Sequence, residues 1–324
     1  MPYAVSPATG RAGPAGANDS VYLVDASLYV FRAWHGTPIE VNDAEGWPLN
    51  AVHGFARFLC DLLERTRAER LALAFDEALD ACFRNALYPA YKAHRDPAPE
   101  ELKQQFAHCK ALGGALGLPV LADAHYEADD LIGSAAVRAR RAGHAVVIVS
   151  ADKDMGQLLD AGDEQWDYAR GERWGPQGVK ARMGVQAHQV ADYLGLAGDA
   201  SDNIPGVPGI GPKTAATLLG IYGSMDTLLE KLHEVPLLKL RGAAQHASRL
   251  QTHREAALLS RRLATIACDA PLPEGFDSAR RRAPDAEGLD RLCERLRIGP
   301  LTRRRLLECS PPATRAEPAH ENHR

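Results

Sequence analysis

Acidic residues stand in five tight groups along this sequence, and together they could bind divalent metal ions. Two unit charges about 5 Å apart repel by roughly 3 kcal/mol at an effective dielectric near 20, so converging carboxylates need positive charge between them. A set of oxygen ligands without histidine or cysteine favours magnesium or manganese over zinc or copper. The nine candidate ligands are Asp25, Asp76, Glu127, Asp129, Asp130, Asp152, Asp154, Asp199 and Asp202.

Taken singly, each of these acids could instead be a helix cap or part of a solvated turn, and that alternative is open at every position. Capping alone does not explain why acids follow the predicted strands so often. Asp152 and Asp154 would point the same way in an extended segment, and Asp199 and Asp202 would share a face if their turn is helical. These spacings favour ions shared between neighbouring carboxylates.

Four short apolar runs, each followed by an acidic or hydroxyl residue, are predicted to be buried parallel strands. Helical patterns alternate with them, which is typical of an α/β sheet covered on both faces. The ligand crevice of such a sheet opens at the carboxyl ends of the strands, so Asp25, Asp76 and the residues after Val149 should lie close together. The predicted strands cover residues 21–24, 71–75, 119–122 and 146–149, and the predicted helices cover residues 51–67, 100–116 and 128–141.

Beyond about residue 185 the sequence predicts helices separated by Gly-Pro turns and no further strong strand. We therefore predict an α/β domain over residues 20–180 and a helical domain over residues 181–309. Residues 166–168 are predicted to form an edge strand of the sheet.

A glycine-rich segment joins two predicted helices, over residues 186–195 and 212–222, and resembles a helix-hairpin-helix. Its glycines let the backbone turn tightly and approach a phosphate, and Pro212 suits the first turn of a helix whose free N–H groups bind anions. A plain turn between two helices is the alternative, whereas a Walker A loop is excluded because its spacing is absent. The predicted DNA-binding residues here are Gly206, Gly209, Gly211, Lys213 and Thr214.

Two basic segments could contact nucleic acid, although solvated surface is the alternative for both. The first, residues 83–95, follows the strand that ends at Asp76 and could face the metal ions. The second contains a single acid, Glu255, among its basic residues, which are Lys239, Arg241, Arg249, Arg254, Arg261 and Arg262.

The composition is that of an ordinary globular protein. Its 324 residues are 45% hydrophobic and 25% charged, which excludes disordered, collagen-like and coiled-coil classes, and the net charge of -4 does not decide for or against nucleic acid. Six cysteines without a C-x-x-C pair argue against zinc ribbons and redox dithiols. Neither a signal peptide nor a membrane span is predicted, so we expect a cytoplasmic protein with disordered residues 1–19 and 310–324.

The same motifs resemble the 5′ nuclease family, which includes the 5′-to-3′ exonuclease domain of bacterial DNA polymerase I, phage 5′ nucleases and flap endonucleases. The resemblance runs from about residue 21 to residue 272, and because no polymerase or proofreading segment follows, a free-standing form is expected. The motifs are Leu23-Val24-Asp25, residues 50–55, Phe75-Asp76, Phe83-Arg84, residues 91–95, residues 127–130, Asp152-Lys153-Asp154, residues 198–207 and residues 263–266.

This resemblance implies a PIN-like or Rossmann-like domain, a C-terminal helix-hairpin-helix region and two bound Mg²⁺ or Mn²⁺ ions. It also implies that Lys92 contacts the scissile phosphate, with Arg84 and Arg95 nearby. The first ion would be held by Asp25, Asp76, Glu127 and Asp129, and the second by Asp152, Asp154, Asp199 and Asp202, with Asp130 in support.

Three further features are expected from the same resemblance. Residues 79–112 would form a helical gateway for a single-stranded 5′ end. Phe31 stands where the family often has tyrosine, and it would either stack on a base or pack in the core. Carbonyl groups of residues 206–211 could bind a K⁺ ion.

The implied function is a structure-selective 5′-to-3′ exonuclease and flap endonuclease acting in DNA repair or in primer and flap removal. We expect a monomer that binds flapped, nicked or gapped DNA and no membrane. A single-strand ribonuclease with a similar α/β domain would not need the glycine-rich hairpin, and a non-catalytic DNA-structure binder would tolerate lost carboxylates. The presence of both features favours the nuclease.

Overall fold

The computed structural model describes residues 20–77, 82–274, 276 and 279–309 of the 324-residue chain. The predicted disordered ends, residues 1–19 and 310–324, lie outside the described residues, as do residues 79–81 of the predicted gateway. Within the described ranges, no helix combines the length and the apolar character needed to cross a membrane.

A six-stranded sheet forms the centre of the first half of the chain, and its order is β3-β2-β1-β4-β5-β6. The first five strands run parallel, and the central ones are buried along their whole length, as strands covered by helices on both faces must be. The predicted α/β fold class is confirmed. The strands are β1 (Val21–Asp25), β2 (Leu71–Asp76), β3 (Val120–Asp123), β4 (Val146–Val149), β5 (Glu164–Asp167) and β6 (Glu172–Trp174).

Strand β5 lies inside the sheet and not at its edge, which corrects one prediction. It pairs in parallel with β4, and β6 adds to its other side in the antiparallel direction. The chain reverses between β5 and β6 through a turn in which Gly171 adopts a φ of 69°, a conformation that glycine reaches without strain. Strand β6 gave no clear sequence signal because two of its three residues are exposed and charged.

Helices alternate with strands in the first half and follow one another in the second, as predicted. Helix α5 (Ala128–Arg141) begins with a capping box formed by Glu127 and Asp130. Helix α8 (Pro212–Tyr222) begins with proline and ends before Gly223. The other α-helices are α1 (Ala26–Gly36), α2 (Asn50–Thr66), α3 (Phe83–Leu87), α4 (Glu100–Ala115), α6 (Pro176–Met183), α7 (Val190–Ala197), α9 (Met225–Glu230), α10 (Ala243–Thr252), α11 (Arg254–Ala264), α12 (Ala286–Arg295) and α13 (Pro300–Glu308).

The strand order reverses direction at β1, so that β2 lies on one side of it and β4 on the other. In open α/β sheets, ligands bind in the crevice outside the carboxyl ends of the strands at such a point. Asp25 ends β1, Asp76 ends β2 and Ser150 follows β4. The sheet therefore brings the predicted strand-end acids to one edge.

Two buried cores lie on the opposite faces of the sheet. One combines α5 with helices α7, α8, α9 and α11 of the second half. The other combines α1, α2 and α4 with α12 and α13. The second half of the chain thus completes the cover of both faces.

The end of the described chain returns to the α/β half, which differs from its predicted place in the helical domain. Arg280 forms an antiparallel bridge with Arg70, just before β2. Helix α13 packs on α2, where Arg305 binds Asp61 at 2.6 Å. Residues 279–309 therefore belong to the α/β layers, while the predicted boundary between the two domains stays a prediction.

The predicted gateway consists of α3, a turn-rich stretch over residues 88–99 and α4. Leu102, Cys109 and Leu112 of α4 are buried in the core that α4 shares with α2. Helix α4 is therefore part of the packed layer, and it does not project as a gateway. The stretch over residues 88–99 is the part that borders the carboxylates.

Candidate metal centre

Four carboxylates crowd together at the carboxyl edge of the sheet. Asp25 Oδ2 accepts a hydrogen bond from Ser150 Oγ at 2.9 Å, and Asp76 Oδ1 accepts one from the Ala128 N–H at 2.8 Å. Burial, together with the negative charges of Asp76 and Asp152, raises the pKa of Asp25 from 3.8 to about 7. The four crowded residues are Asp25, Asp76, Asp129 and Asp152.

Asp129 lies in the first turn of α5, close to three of the other acids: Asp152, Asp25 and Asp76. Burial, and then the charges of Asp152 and Asp25, raise its pKa well above the ordinary value. The ion pairs found among the described residues include none of the four crowded carboxylates. Their charge is therefore the kind that a bound cation would neutralise.

Glu127, which precedes α5, is held by three neighbouring side chains. Its Oε1 accepts from Lys92 Nζ at 2.5 Å, while its Oε2 accepts from Tyr91 Oη at 2.9 Å and from Arg84 Nη1 at 3.0 Å. Burial favours the protonated form, but the charges of Lys92 and Arg84 outweigh it and lower the pKa of Glu127. Unlike the crowded four, Glu127 is already neutralised by the protein.

Lys92 lies between Glu127 and Asp202, where the two halves of the chain meet. Its backbone N–H donates to the Asp202 carbonyl at 3.0 Å, and its Nζ lies 3.6 Å from Asp202 Oδ2. Arg95 Nη2 donates to the other Asp202 carboxylate oxygen at 2.7 Å. Lys92 and Arg95 thus lie beside Glu127 and Asp202, and their predicted contact with a phosphate stays a prediction.

Tyr91 contributes to this contact although the sequence analysis gave it no separate role. Its Oη donates to Glu127 at 2.9 Å and to Asp202 at 3.2 Å, and the residue is buried. These partners lie 36 and 111 positions away in the chain, so spacing could not reveal the contacts. The sequence signal that could have identified Tyr91 is its position next to Lys92 in the motif over residues 91–95.

Arg84 and Asp130 form a buried ion pair, which corrects the predicted roles of both. Arg84 Nη1 and Nη2 donate to the two Asp130 carboxylate oxygens at 2.8 and 2.7 Å. Arg84 also donates to the carbonyls of Leu263 and Thr265, and Asp130 also accepts from the Ala267 N–H. Because these groups are fully engaged, Asp130 is not free to bind a metal ion and Arg84 is not free to contact a phosphate.

Residues Lys153–Leu158 form a 3₁₀ helix where the sequence predicted an extended segment. Asp152 caps this helix, since its Oδ1 accepts from the Asp154 N–H at 2.9 Å. The rule that side chains two positions apart point the same way in an extended strand therefore does not apply to Asp152 and Asp154. Lys153 Nζ instead lies 2.5 Å from Asp199 Oδ2 and 3.2 Å from Asp154 Oδ1.

Asp199 and Asp202 do not share a helical face, which corrects another prediction. They lie in a turn that is closed by backbone pairing between Asp199 and Ile204. Asp199 faces Lys153, whereas Asp202 faces Lys92. The turn therefore divides these two acids between different basic partners.

The arrangement fits divalent ions chemically but is not a closed cage. Within the described residues, no three acidic, histidine or cysteine side chains are close enough to hold a metal ion as they stand. Asp154 Oδ1, however, is a buried oxygen without a hydrogen bond, and the crowded carboxylates are unneutralised. An all-oxygen donor set with excess negative charge suits Mg²⁺ or Mn²⁺.

The glycine-rich segment forms the predicted turn between α7 and α8. Gly206 and Gly209 adopt φ values of 61° and 78°, and a Cβ added at Gly206 would lie 2.3 Å from the Gly198 backbone nitrogen. Side chains rarely adopt such φ values, so glycine is needed at both positions. Gly211 directly precedes α8, where Lys213 is exposed in the first turn.

Three of the six basic residues in the second basic segment contact other parts of the protein. Arg249 Nη1 donates to the Gly209 carbonyl at 3.0 Å, and Arg254 Nη1 donates to a carbonyl of α9 at 3.1 Å. Arg261 Nη1 pairs with Asp226 at 2.8 Å. For these three side chains the contacts favour a structural role.

Phe31 is a partly buried residue that packs against the protein core. Its ring meets Phe106 edge to face, with 5.2 Å between the ring centroids. This contact favours the packing alternative, and stacking on a base stays a prediction.

Millimolar Mg²⁺ should raise the melting temperature by about 5–10 °C, because ligand at a hundred times its Kd stabilises by about 2.7 kcal/mol. The pKa of Asp25 and of Asp154 is raised to about 7 from 3.8, so the folded state retains protons that the unfolded state loses. Without metal, stability should therefore fall as pH rises from about 4 to 7. Thermal melts with Mg²⁺ and with chelator test the effect of the ion, with NaCl at matched ionic strength as control. An unchanged melting temperature between Mg²⁺ and chelator would contradict the expected stabilisation by the ion.

Two family models cover most of the sequence. The model described as "5'-3' exonuclease, N-terminal resolvase-like domain" matches residues 20–184, and the model described as "5'-3' exonuclease, C-terminal SAM fold" matches residues 185–287.

Similar curated proteins include DNA polymerases I from several bacteria. The chain is 36% identical over 308 residues to the enzyme of Rhizobium leguminosarum and 40% identical over 268 residues to that of Pseudomonas aeruginosa. The matches cover 93% and 82% of this chain but 30% and 29% of those proteins. The chain thus spans less than a third of the length of these relatives.

Similar solved structures include nucleases from phage and eukaryotes. The T5 5′-exonuclease with bound zinc has a TM-score of 0.62 at 18% identity, covering 90% of this chain and 99% of that one. The catalytic core of Rad2 in complex with DNA substrate has a TM-score of 0.59 at 14% identity, covering 92% and 95%. Human GEN1 with Holliday junction DNA has the same TM-score and identity, covering 90% and 72%. At these identities the likeness shows a shared fold.

Proposed function

This chain belongs to the 5′-3′ exonuclease family, and from that premise we propose that it is a metal-dependent nuclease that cleaves branched or nicked DNA near a 5′ end. The products would be short fragments with 5′-phosphate and 3′-hydroxyl termini. The observation that carries the proposal is the crowding of four carboxylates at the carboxyl edge of the sheet, which form no ion pair among the described residues and lie near the charge of Lys92.

Two Mg²⁺ or Mn²⁺ ions would bind at this edge. The crowded Asp25, Asp76, Asp129 and Asp152 are suited to one ion because they form no ion pair among the described residues. Glu127, Asp154, Asp199 and Asp202 would supply further ligands once their basic partners move. When bound, the ions would activate water and stabilise the attacking and leaving oxygens of an in-line displacement.

Lys92 and Arg95 would bind the scissile phosphate. Their side chains are 22% and 52% exposed, so both can be reached from solvent, in contrast to buried Arg84. A fixed positive charge at this position would stabilise the negative charge that develops on the phosphate. Moving Lys92 towards the phosphate would also release Glu127 and Asp202 from their ion pairs.

The helix-hairpin-helix would bind the phosphate backbone of the duplex through the N-terminus of α8, with Lys213 and Thr214 in its first turn. Contacts of this type do not read bases, so selection would depend on the shape of the DNA. A K⁺ ion at the carbonyls of residues 206–211 belongs to the same proposal, although the Gly209 carbonyl already accepts from Arg249. Phe31 and the stretch over residues 88–99 would contact the single-stranded 5′ end.

Digestion of end-labelled substrates tests the proposed function. With Mg²⁺ we expect rapid release of label from 5′-flap and nicked duplexes and much slower release from blunt duplex. Chelator should stop all cleavage, because the crowded carboxylates would then hold no ion to activate water.

Single-stranded RNA is the matched comparison substrate. Preference for that RNA over flap DNA would replace the proposal with a single-strand ribonuclease. Tight binding of flap DNA without any cleavage in Mg²⁺ or Mn²⁺ would indicate a DNA-structure binder.

A further inference from the structure

Lys153 occupies the space between two of the acidic ligands proposed above. Its Nζ lies 2.5 Å from Asp199 Oδ2 and 3.2 Å from Asp154 Oδ1. The two acids come from different halves of the chain, so the lysine charge joins the 3₁₀ helix to the turn that follows α7. An ammonium group at this point takes the position that a cation bound by the same oxygens would need.

We propose that Lys153 is a built-in counter-ion of the second metal site, which a divalent ion must displace before it can bind Asp154 and Asp199. The inference rests on the proposed function, because it presumes that these acids are metal ligands. Its consequence is that the two ions bind with unequal affinity. The crowded site at Asp25 and Asp129 fills first, and the site held by Lys153 fills only at higher concentrations of the ion.

The two sites differ in what a cation must disrupt. At the crowded site an incoming ion displaces no basic group, since the ion pairs found among the described residues include none of the four crowded carboxylates. At Asp199 the ion must compete with an ammonium group that already makes a charge-assisted hydrogen bond. The same carboxylate chemistry therefore gives strong binding at one site and weaker binding at the other.

The lysine is placed so that it can leave without disturbing the core. Its side chain is 51% exposed and belongs to the first residue of the 3₁₀ helix, so it can rotate into solvent once its ion pairs with Asp154 and Asp199 are broken. Asp154 Oδ1 is buried, and Lys153 Nζ contacts it at 3.2 Å without the geometry of a hydrogen bond. This contact is longer than the roughly 2.7–2.9 Å typical of charge-assisted hydrogen bonds, so the ammonium group is held weakly at this oxygen.

Mn²⁺ binding to the full chain tests the proposal, with free Mn²⁺ measured by electron paramagnetic resonance. In wild-type protein we expect one tight and one weaker ion. Lys153→Gln should tighten the weaker site by about tenfold or more, because it removes a unit positive charge about 3 Å from the ligand oxygens. The tight site should change by less than about threefold.

Two further variants separate charge from shape. Lys153→Arg keeps the positive charge and should leave the weaker site weak. Lys180→Gln removes an exposed lysine on α6 and should change neither site. In chelator, Lys153→Gln should melt at a lower temperature than wild type, and it should gain more from added Mn²⁺, since Asp154 and Asp199 lose their counter-ion.

The outcomes distinguish this proposal from the proposed function. Equal Mn²⁺ affinities in Lys153→Gln and wild type, or loss of the weaker ion in the variant, would overturn the role of Lys153 while leaving the nuclease proposal intact. Absence of Mn²⁺ binding to the wild-type chain would overturn the proposed function, and this inference with it.

Discussion

Replacing Asp129 by asparagine should lower the rate of flap cleavage by about a thousandfold or more, which corresponds to about 4 kcal/mol of lost transition-state stabilisation. Asparagine has nearly the same shape but no charge, so the residue would keep its place in α5 and lose its attraction for a cation. Because Asp129 is crowded by Asp25 and Asp152, removal of its charge should not destabilise the metal-free protein. Asp152→Asn should behave in the same way, since its Oδ1 can still accept from the Asp154 N–H.

Rates are measured on an end-labelled 5′ flap at saturating Mg²⁺, and binding is measured on the same DNA in chelator. We expect binding to stay within a few-fold of wild type, because the proposed duplex contacts lie at the hairpin. Asp123→Asn is the matched control, as Asp123 ends β3 at the same edge of the sheet but accepts only local N–H donors among the described contacts. Near wild-type turnover in both Asp129→Asn and Asp152→Asn would refute the metal centre.

Arg84→Met should reduce the free energy of unfolding by about 3–5 kcal/mol, the typical cost of breaking a buried ion pair. The substitution leaves Asp130 buried without its counter-charge, and it removes the hydrogen bonds to the carbonyls of Leu263 and Thr265. Arg84→Lys should recover little of this loss, because an ammonium group cannot reproduce the two parallel bonds of the guanidinium. Urea unfolding, followed by the shift of the midpoint, measures the effect.

Asp130→Asn in the Arg84→Met background should restore part of the lost stability, since the unpaired charge is then gone. Arg95→Ala is the matched control, because Arg95 is half exposed and its pair with Asp202 is therefore partly solvated, unlike the buried pair of Arg84 with Asp130. We expect a change of less than about 1 kcal/mol for that variant. A comparable loss in both arginine variants would argue against the central role of the buried pair.

Much of the sheet could be predicted from local patterns. The four apolar runs became β1 to β4, and β1, β2 and β4 are buried almost throughout, as parallel strands covered on both faces must be. Helix α5 matched its predicted bounds because its cap is encoded by adjacent residues, Glu127 to Asp130. The edge shared by Asp25 and Asp76 followed from topology alone.

The roles of individual charged residues were less predictable, because a motif gives residue types and not partners. Arg84 and Asp130 both stand in motifs of the family, yet they bind each other across 46 positions of sequence. Asp199 and Asp202 are three positions apart, yet a non-helical turn gives them different partners. Such pairings depend on tertiary packing and leave no periodic signal.

The return of the chain after α11 could not be predicted for a similar reason. The bridge between Arg280 and Arg70 joins residues that lie far apart, and neither has an unusual sequence context. The amphipathic pattern of α12 and α13 indicates helices but does not say which face of the molecule they cover. Their place beside α2 and α4 depends on long-range apolar contacts, since Leu289 and Leu306 are buried in the core that these helices share.

This return has a practical consequence for attaching other molecules. The Cys309 carbonyl accepts from Arg281, which also holds the Ala68 carbonyl just before β2. Cys309 therefore lies at the amino edge of the sheet, opposite the carboxylates. A surface anchor or a fluorescent reporter attached beside Cys309 would therefore start from the side of the sheet opposite Asp25 and Asp129, away from the proposed site of cleavage.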